Sequence, residues 1–141
     1  YLKYVSNLAT SSLTQHTLAA FLAKGGYDRH VRKMRQIYAR QQGQMAEAIH
    51  RYFPAGTKAA HGGMMAWVEL PARVSGFELY RRALDKKISI VPGSLFSAQK
   101  KYEHYVRLSC GGLWTPAIER GVAVLGEIAR QLAQESGRSA A

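Results

Sequence analysis

The sequence predicts an α/β (α+β) two-layer sandwich: a small mixed or antiparallel sheet with helices on one face, preceded by a long linking helix. Three observations predict it. Apolar residues recur at helical spacing over roughly seven turns from Tyr27. Short apolar runs bounded by Gly and Pro pairs follow, with the character of strands. These runs interleave with further amphipathic stretches, the pattern of helices stacked on a sheet. With 141 residues, 47% of them hydrophobic, the chain is long and apolar enough to bury one core, which excludes a disordered protein.

Each element has its own signal. Leu13 to Ala23 carries Leu13, Thr17, Leu18, Phe21 and Leu22 on one broad face, with Thr10, Ser11 and Ser12 as candidate N-caps. Gly25-Gly26 ends it. Asp28 is a candidate N-cap for the long helix, expected over about 27–53. Its seam is Tyr27, Val31, Met34, Tyr38, Met45, Ile49 and Tyr52. Gly43 is its weak point, at about 1 kcal/mol relative to Ala. Pro54 and Gly56 end it. Met64 to Leu70 reads as a strand between Gly62-Gly63 and Pro71. Ser75 and Glu78 form a capping box, opening a helix to about Lys87 with Phe77, Tyr80, Ala83 and Leu84 inward. Ile88 to Val91 and Tyr105 to Cys110 read as two more strands, stopped by Pro92-Gly93 and Gly111-Gly112. Thr115 caps a last helix with Pro116 at its first position. Its seam is Ile118, Val122, Leu125, Ile128 and Leu132. Residues 136–141 are expected to be a disordered tail. Tyr1 to Val5 reads as mid-protein sequence, so the chain is expected to be a fragment of a longer one.

Several chemistries have no signal. No apolar run reaches the ~20 residues of a membrane span, and nothing resembles a signal peptide. A soluble, cytoplasmic protein without membrane partners is expected. Cys110 is the only cysteine, which excludes a disulfide framework. It lies in an apolar strand, where a buried bystander is expected rather than a reactive thiol. No glycine-rich segment has phosphate-loop or dinucleotide spacing. His16, His30, His50, His61 and His104 lack metal-ligand spacing, so no metal site is expected.

The formal net charge is +11, which favours an anionic partner. Arg29, Lys33, Arg40 and Arg51 line the long helix opposite its apolar seam, with Arg32 and Arg35 nearby. One reading of residues 29–51 is a nucleic-acid-binding module; the other is a solvated helix exterior, or a face that packs against an acidic domain outside this chain. No helix-turn-helix pattern or stacking aromatic accompanies the charges.

Arg107 is the most informative residue. In a strand it shares a face with Tyr105 and Ser109, while Val106, Leu108 and Cys110 take the other. A cation there is costly if buried unpaired. Either an acidic partner neutralises it, or it opens into a cleft awaiting an anion. Its planar fork suits a carboxylate.

Several segments together resemble the C-terminal part of fold-type I, pyridoxal-phosphate-dependent aminotransferases. They are Gly62-Gly63-Met64 leading into Trp67-Val68-Glu69-Leu70, Ile90-Val91-Pro92-Gly93 with Phe96-Ser97, and Val106-Arg107-Leu108-Ser109. The likeness covers about Tyr1 to Leu132. Within the superfamily the chain resembles most the aminotransferase-like half of MocR (GntR-family) transcription regulators. Tyr4-Val5-Ser6-Asn7-Leu8-Ala9-Thr10-Ser11-Ser12, Tyr38-Ala39-Arg40-Gln41 and Arg107-Leu108-Ser109-Cys110-Gly111 carry that likeness. The resemblance implies that residues 1–135 are a small domain including the interdomain helix. It implies that Arg107 grips the α-carboxylate of an amino-acid ligand. Pro92, Gly93, Phe96 and Ser109 become candidate cleft-lining residues. It implies pyridoxal phosphate in the intact protein, on a Schiff-base lysine upstream of this chain. Lys3, Lys24, Lys33, Lys86 and Lys87 do not match that lysine's motif. No catalytic or cofactor-binding residue is therefore expected here, and the chain alone is expected to bind no cofactor and to be inactive. The implied partners are a large domain, an amino acid, DNA through an upstream winged helix, and a second copy in a homodimer. A metabolic aminotransferase is the alternative parent.

Overall fold

The computed structural model describes residues 5–6, 10–60, 62–99 and 101–138. Lys3, His61 and most of the Tyr4 to Ala9 segment lie outside them. The chain divides into two units, residues 1–37 and 38–141.

In the first unit, α1 spans Ser12–Ala23, and Ser11 is the N-cap, its hydroxyl accepting from Thr14 N. None of its residues is buried. Gly25, at φ 65°, ends it. The long helix α2 spans Gly26–Tyr52. It starts two residues before Asp28, which therefore sits in the first turn rather than at the cap. There its carboxylate still favours the helix dipole. Gly43 is exposed and the helix runs through it unbroken.

The second unit is built on a four-stranded sheet ordered β1-β2-β4-β3. The strands are β1 (Lys58–Ala60), β2 (Met65–Glu69), β3 (Val91–Pro92) and β4 (Tyr105–Ser109). Every pairing is antiparallel. Helix α3 (Gly76–Asp85) lies between β2 and β3, and a single 3-10 turn (Gly93–Phe96) follows β3. Helix α4 (Pro116–Arg138) closes the chain.

The inner sheet face supplies Ala66, Val68, Val106 and Leu108 to one core cluster. Met45, Ala48 and Ile49 of α2 join it, with Leu79 and Ala83 of α3 and Val122, Leu125, Ile128, Ala129 and Leu132 of α4. The expected layer of helices on one sheet face is thus present. Gly126 is where α4 meets the end of α2: a side chain there would collide with the Tyr52 carbonyl. Arg130 Nη1 donates to that same carbonyl at 2.7 Å, satisfying a group that the helix end leaves open.

Some expected boundaries differ. The segment Ile88–Ile90 is not a strand; pairing begins at Val91, opposite Arg107. Helix α3 ends at Asp85, and its buried residues are Gly76, Leu79 and Ala83. Phe77 and Leu84 are exposed instead of inward. Ser75 caps α3 by accepting from Glu78 N at 3.3 Å. The Glu78 carboxylate pairs with Arg81 and Arg82. Thr115 caps α4 as expected, its hydroxyl accepting from Ile118 N at 3.3 Å. The disordered tail expected from Ser136 is contradicted over its first three residues. Ser136, Gly137 and Arg138 continue α4, and the Ser136 hydroxyl bonds the carbonyls of Leu132 and Arg73. Residues 139–141 lie outside the described residues.

Candidate functional site

The outer face of the sheet follows from strand parity. Ala66, Val68, Val106 and Leu108 point into the core, so Met65, Trp67, Glu69, Tyr105, Arg107 and Ser109 take the opposite side. Arg107 sits at the centre of this face, opposite Trp67 on β2 and Val91 on β3. It is half-buried. Its guanidinium carbon stands 5.0 Å from the centroid of the Phe96 ring. Among the described residues it forms no ion pair and no side-chain hydrogen bond. Of the two readings the sequence left open, neutralisation by an acidic neighbour does not occur within the described residues.

An aromatic group surrounds that cation. Trp67 stacks on Tyr105 with ring centroids 5.4 Å apart and planes 18° apart. Phe96 and Tyr102 meet Trp67 edge-on, at 5.4 Å and 5.5 Å. At the far end of the face Glu69 accepts the approach of Lys58 Nζ at 3.8 Å and His104 Nε2 at 3.9 Å. Partial burial raises the Tyr105 hydroxyl above its ordinary pKa, and the Glu69 carboxylate raises it further.

The other candidates divide. Phe96 is exposed beneath the Arg107 guanidinium, and Ser109 is exposed two residues along β4, its hydroxyl accepting from Gly111 N at 3.4 Å. Pro92 and Gly93 are buried. Pro92 pairs with Val106 and so belongs to the inner layer. Gly93 is a close approach: a side chain there would collide with the Tyr102 carbonyl. These two residues place the 3-10 turn, and the turn places Phe96. Cys110 is buried in the inner layer, where desolvation pushes its thiol up.

Three features escaped the sequence reading. Met65 and Val91 complete the apolar rim around Arg107; strand parity would have found Met65. Gln42, buried on α2, donates Nε2 to the carbonyls of Gly62 at 3.2 Å, Gly63 at 3.0 Å and Met65 at 3.0 Å. It thereby holds the turn entering β2. Cys110 N donates to Met64 O at 2.7 Å, tying that turn to the end of the arginine strand. Only tertiary structure reveals this role, since nothing in a polar helix position predicts three carbonyl partners.

The basic helix face is not continuous in its chemistry. In the first unit Arg29, Arg32, Lys33 and Arg35 are exposed. In the second, Arg40 is exposed, whereas Arg51 pairs with Glu47 at 2.7 Å and Glu119 at 3.5 Å.

No protein-family model matches the chain. Curated relatives do. An uncharacterized HTH-type transcriptional regulator of Escherichia coli, YdcR, is 33% identical over 132 residues, covering 92% of this chain and 28% of the regulator. The 2-aminoadipate transaminase of Thermus thermophilus is also 33% identical over 132 residues, covering 92% of this chain and 33% of the enzyme. Among solved structures, the α-aminoadipate aminotransferase LysN of Thermus thermophilus, complexed with N-(5'-phosphopyridoxyl)-L-leucine, superposes with a TM-score of 0.80. It is 31% identical over 94% of this chain and 34% of that one. The chain is a fold-type I aminotransferase-like small domain. Its relatives include both MocR-type regulators and aminotransferases. The small domain spans about a third or less of the length of the relatives it matches.

The family implies pyridoxal phosphate, and the small domain's own residues can be tested against it. An imine-forming lysine needs a desolvated or charge-tuned setting. The described lysines, Lys24, Lys33, Lys58, Lys86, Lys87 and Lys101, are all exposed. None of the described lysines therefore has the setting of an imine-forming one. Among the described residues, Arg107 is a half-buried guanidinium with no acidic partner.

Proposed function

We propose that this small domain belongs to a longer, pyridoxal-phosphate-dependent transcription regulator, and that Arg107 holds the carboxylate of its amino-acid ligand. The observation that carries the reading is the unpaired guanidinium of Arg107 on an open sheet face. A planar fork accepts a carboxylate through two parallel N–H bonds, stronger than neutral hydrogen bonds. The Phe96 ring beneath the guanidinium limits its motion without satisfying its N–H donors. A large domain would supply the Schiff-base lysine and the rest of the cofactor site, so this chain alone would bind no cofactor and be inactive. Ligand exchange between two domain arrangements would bias an attached winged-helix DNA-binding domain, since a ligand shifts an equilibrium by its differential affinity. The parent would be a cytoplasmic homodimer.

A metabolic aminotransferase is the second reading, favoured by the 33% identity to 2-aminoadipate transaminase. One experiment separates the two. The full-length protein is loaded with pyridoxal phosphate and titrated with a panel of amino acids while its visible absorption is recorded. A shift with accumulation of keto acid indicates the enzyme; a shift without turnover indicates the regulator. Arg107→Lys keeps the charge and loses the fork. It is expected to retain the cofactor and to weaken amino-acid binding by roughly tenfold to a hundredfold. An unchanged titration would sink the assignment.

A further inference from the structure

From the residues around Arg107 we infer the class of amino acid: one with an aromatic or large aliphatic side chain, not a second carboxylate. The inference rests on Arg107 being the carboxylate site proposed above.

The argument is the composition of the sheet's outer face. Arg107 faces Trp67 on one neighbouring strand and Val91 on the other. Phe96 lies under its guanidinium. Met65 is two residues along β2 from Trp67 and opposite Ser109, which places it diagonally beside Arg107. Cross-strand diagonals are about 7–8 Å apart, within reach of a long side chain. Met65 is 39% exposed and Phe96 46% exposed, so both offer apolar surface that the small domain itself leaves uncovered. A carboxylate on Arg107 leaves the remainder of the ligand against these groups. An apolar side chain there removes apolar surface from water, at about 25 cal/mol per Å2.

A dicarboxylic amino acid fares differently. Its second carboxylate needs a second cation. At the far end of this face the Lys58 ammonium and the His104 imidazole both lie against Glu69. That carboxylate would repel an arriving anion. Among the described residues, those that the sheet register or the Phe96 contact places around Arg107 are Trp67, Tyr105, Met65, Val91 and Phe96, all aromatic or aliphatic, and the uncharged hydroxyl of Ser109.

The test uses the full-length protein loaded with pyridoxal phosphate, and equilibrium titrations followed by visible absorption rather than turnover. L-phenylalanine and L-leucine are compared with L-glutamate, in the wild type, Met65→Lys and Arg107→Lys. Wild type is expected to bind L-phenylalanine or L-leucine at least ~10-fold more tightly than L-glutamate, about 1.4 kcal/mol. Met65→Lys places a cation on the exposed rim, where it disturbs no core contact. It is expected to raise L-glutamate affinity and lower that for L-leucine, narrowing or reversing the ratio. L-glutamate binding as tightly as the apolar amino acids, with Arg107→Lys weakening both, would overturn the side-chain inference and leave the Arg107 reading standing. A ratio unmoved by Met65→Lys would also overturn it. No response to any amino acid, or Arg107→Lys behaving as wild type, would overturn the reading beneath it.

Discussion

Arg82 and Arg107 carry the same guanidinium in opposite settings. Arg82 Nε meets Glu78 at 3.1 Å, and its fork takes both oxygens of Glu135 at 2.9 Å and 2.8 Å. That ties α3 to α4. Hydrogen bonding from Glu135, then Glu78, raises the Arg82 pKa. The same bond holds the Glu135 carboxyl below its ordinary value of 4.5. A carboxyl depressed in the folded state stabilises it above its unfolded value, and the contribution disappears as pH falls through the folded one. Glu135→Gln is therefore expected to lower the melting temperature at neutral pH and to match wild type in acid well below 4.5. Thermal melts by circular dichroism across that range check it; a constant difference would refute the pairing. Arg107 has no such partner. It was legible in the sequence because a lone arginine between Val106 and Leu108 breaks an apolar run and strand parity fixes its face. Its neighbours from β2 and β3 were harder to read, since register is set by pairing over long sequence separations.

Element by element, the long helix and α4 were legible because their apolar seams persist over many turns and their ends carry Gly, Pro or Thr-Pro signals. The short strands were not. β1 is only Lys58–Ala60, without a β-branched or aromatic residue, and nothing local marks it. Ile88 to Val91 looks like a strand but is partly the exit from α3. Ile88 N bonds Ala83 O at 2.9 Å and Lys87 N bonds Leu84 O at 2.8 Å, the paired bonds of a Schellman motif. The motif needs a left-handed residue, and Lys87 supplies it at φ 60°. Glycine adopts that conformation without the Cβ penalty. Lys87→Gly is expected to stabilise the chain by about 0.5–1 kcal/mol. Urea unfolding should show a higher midpoint at unchanged slope; a lower midpoint would mean that Lys87 makes a compensating contact.

For the whole molecule, exposure separates residues that hold this chain together from those that serve something else. Leu79 is fully buried beneath the sheet. Leu79→Ala should cost about 2–5 kcal/mol through lost burial and the cavity left behind. Helix α1 has the opposite character. Leu13 is 78% exposed and Leu18 54%, and Phe21 and Leu22 are exposed as well, although the sequence gives them the broad apolar face of a packed helix. A face of that kind in water promotes association. The relatives, of which the chain spans about a third or less, have room for a domain to cover it. Replacing Leu18 and Phe21 by serine in this chain is thus expected to leave its melting temperature almost unchanged while reducing concentration-dependent association, measured by sedimentation velocity. The same two substitutions in the full-length protein should lower its melting temperature. If instead they destabilise the isolated chain as much as Leu79→Ala does, α1 belongs to this chain's own core, and the apolar face has no further partner to explain it.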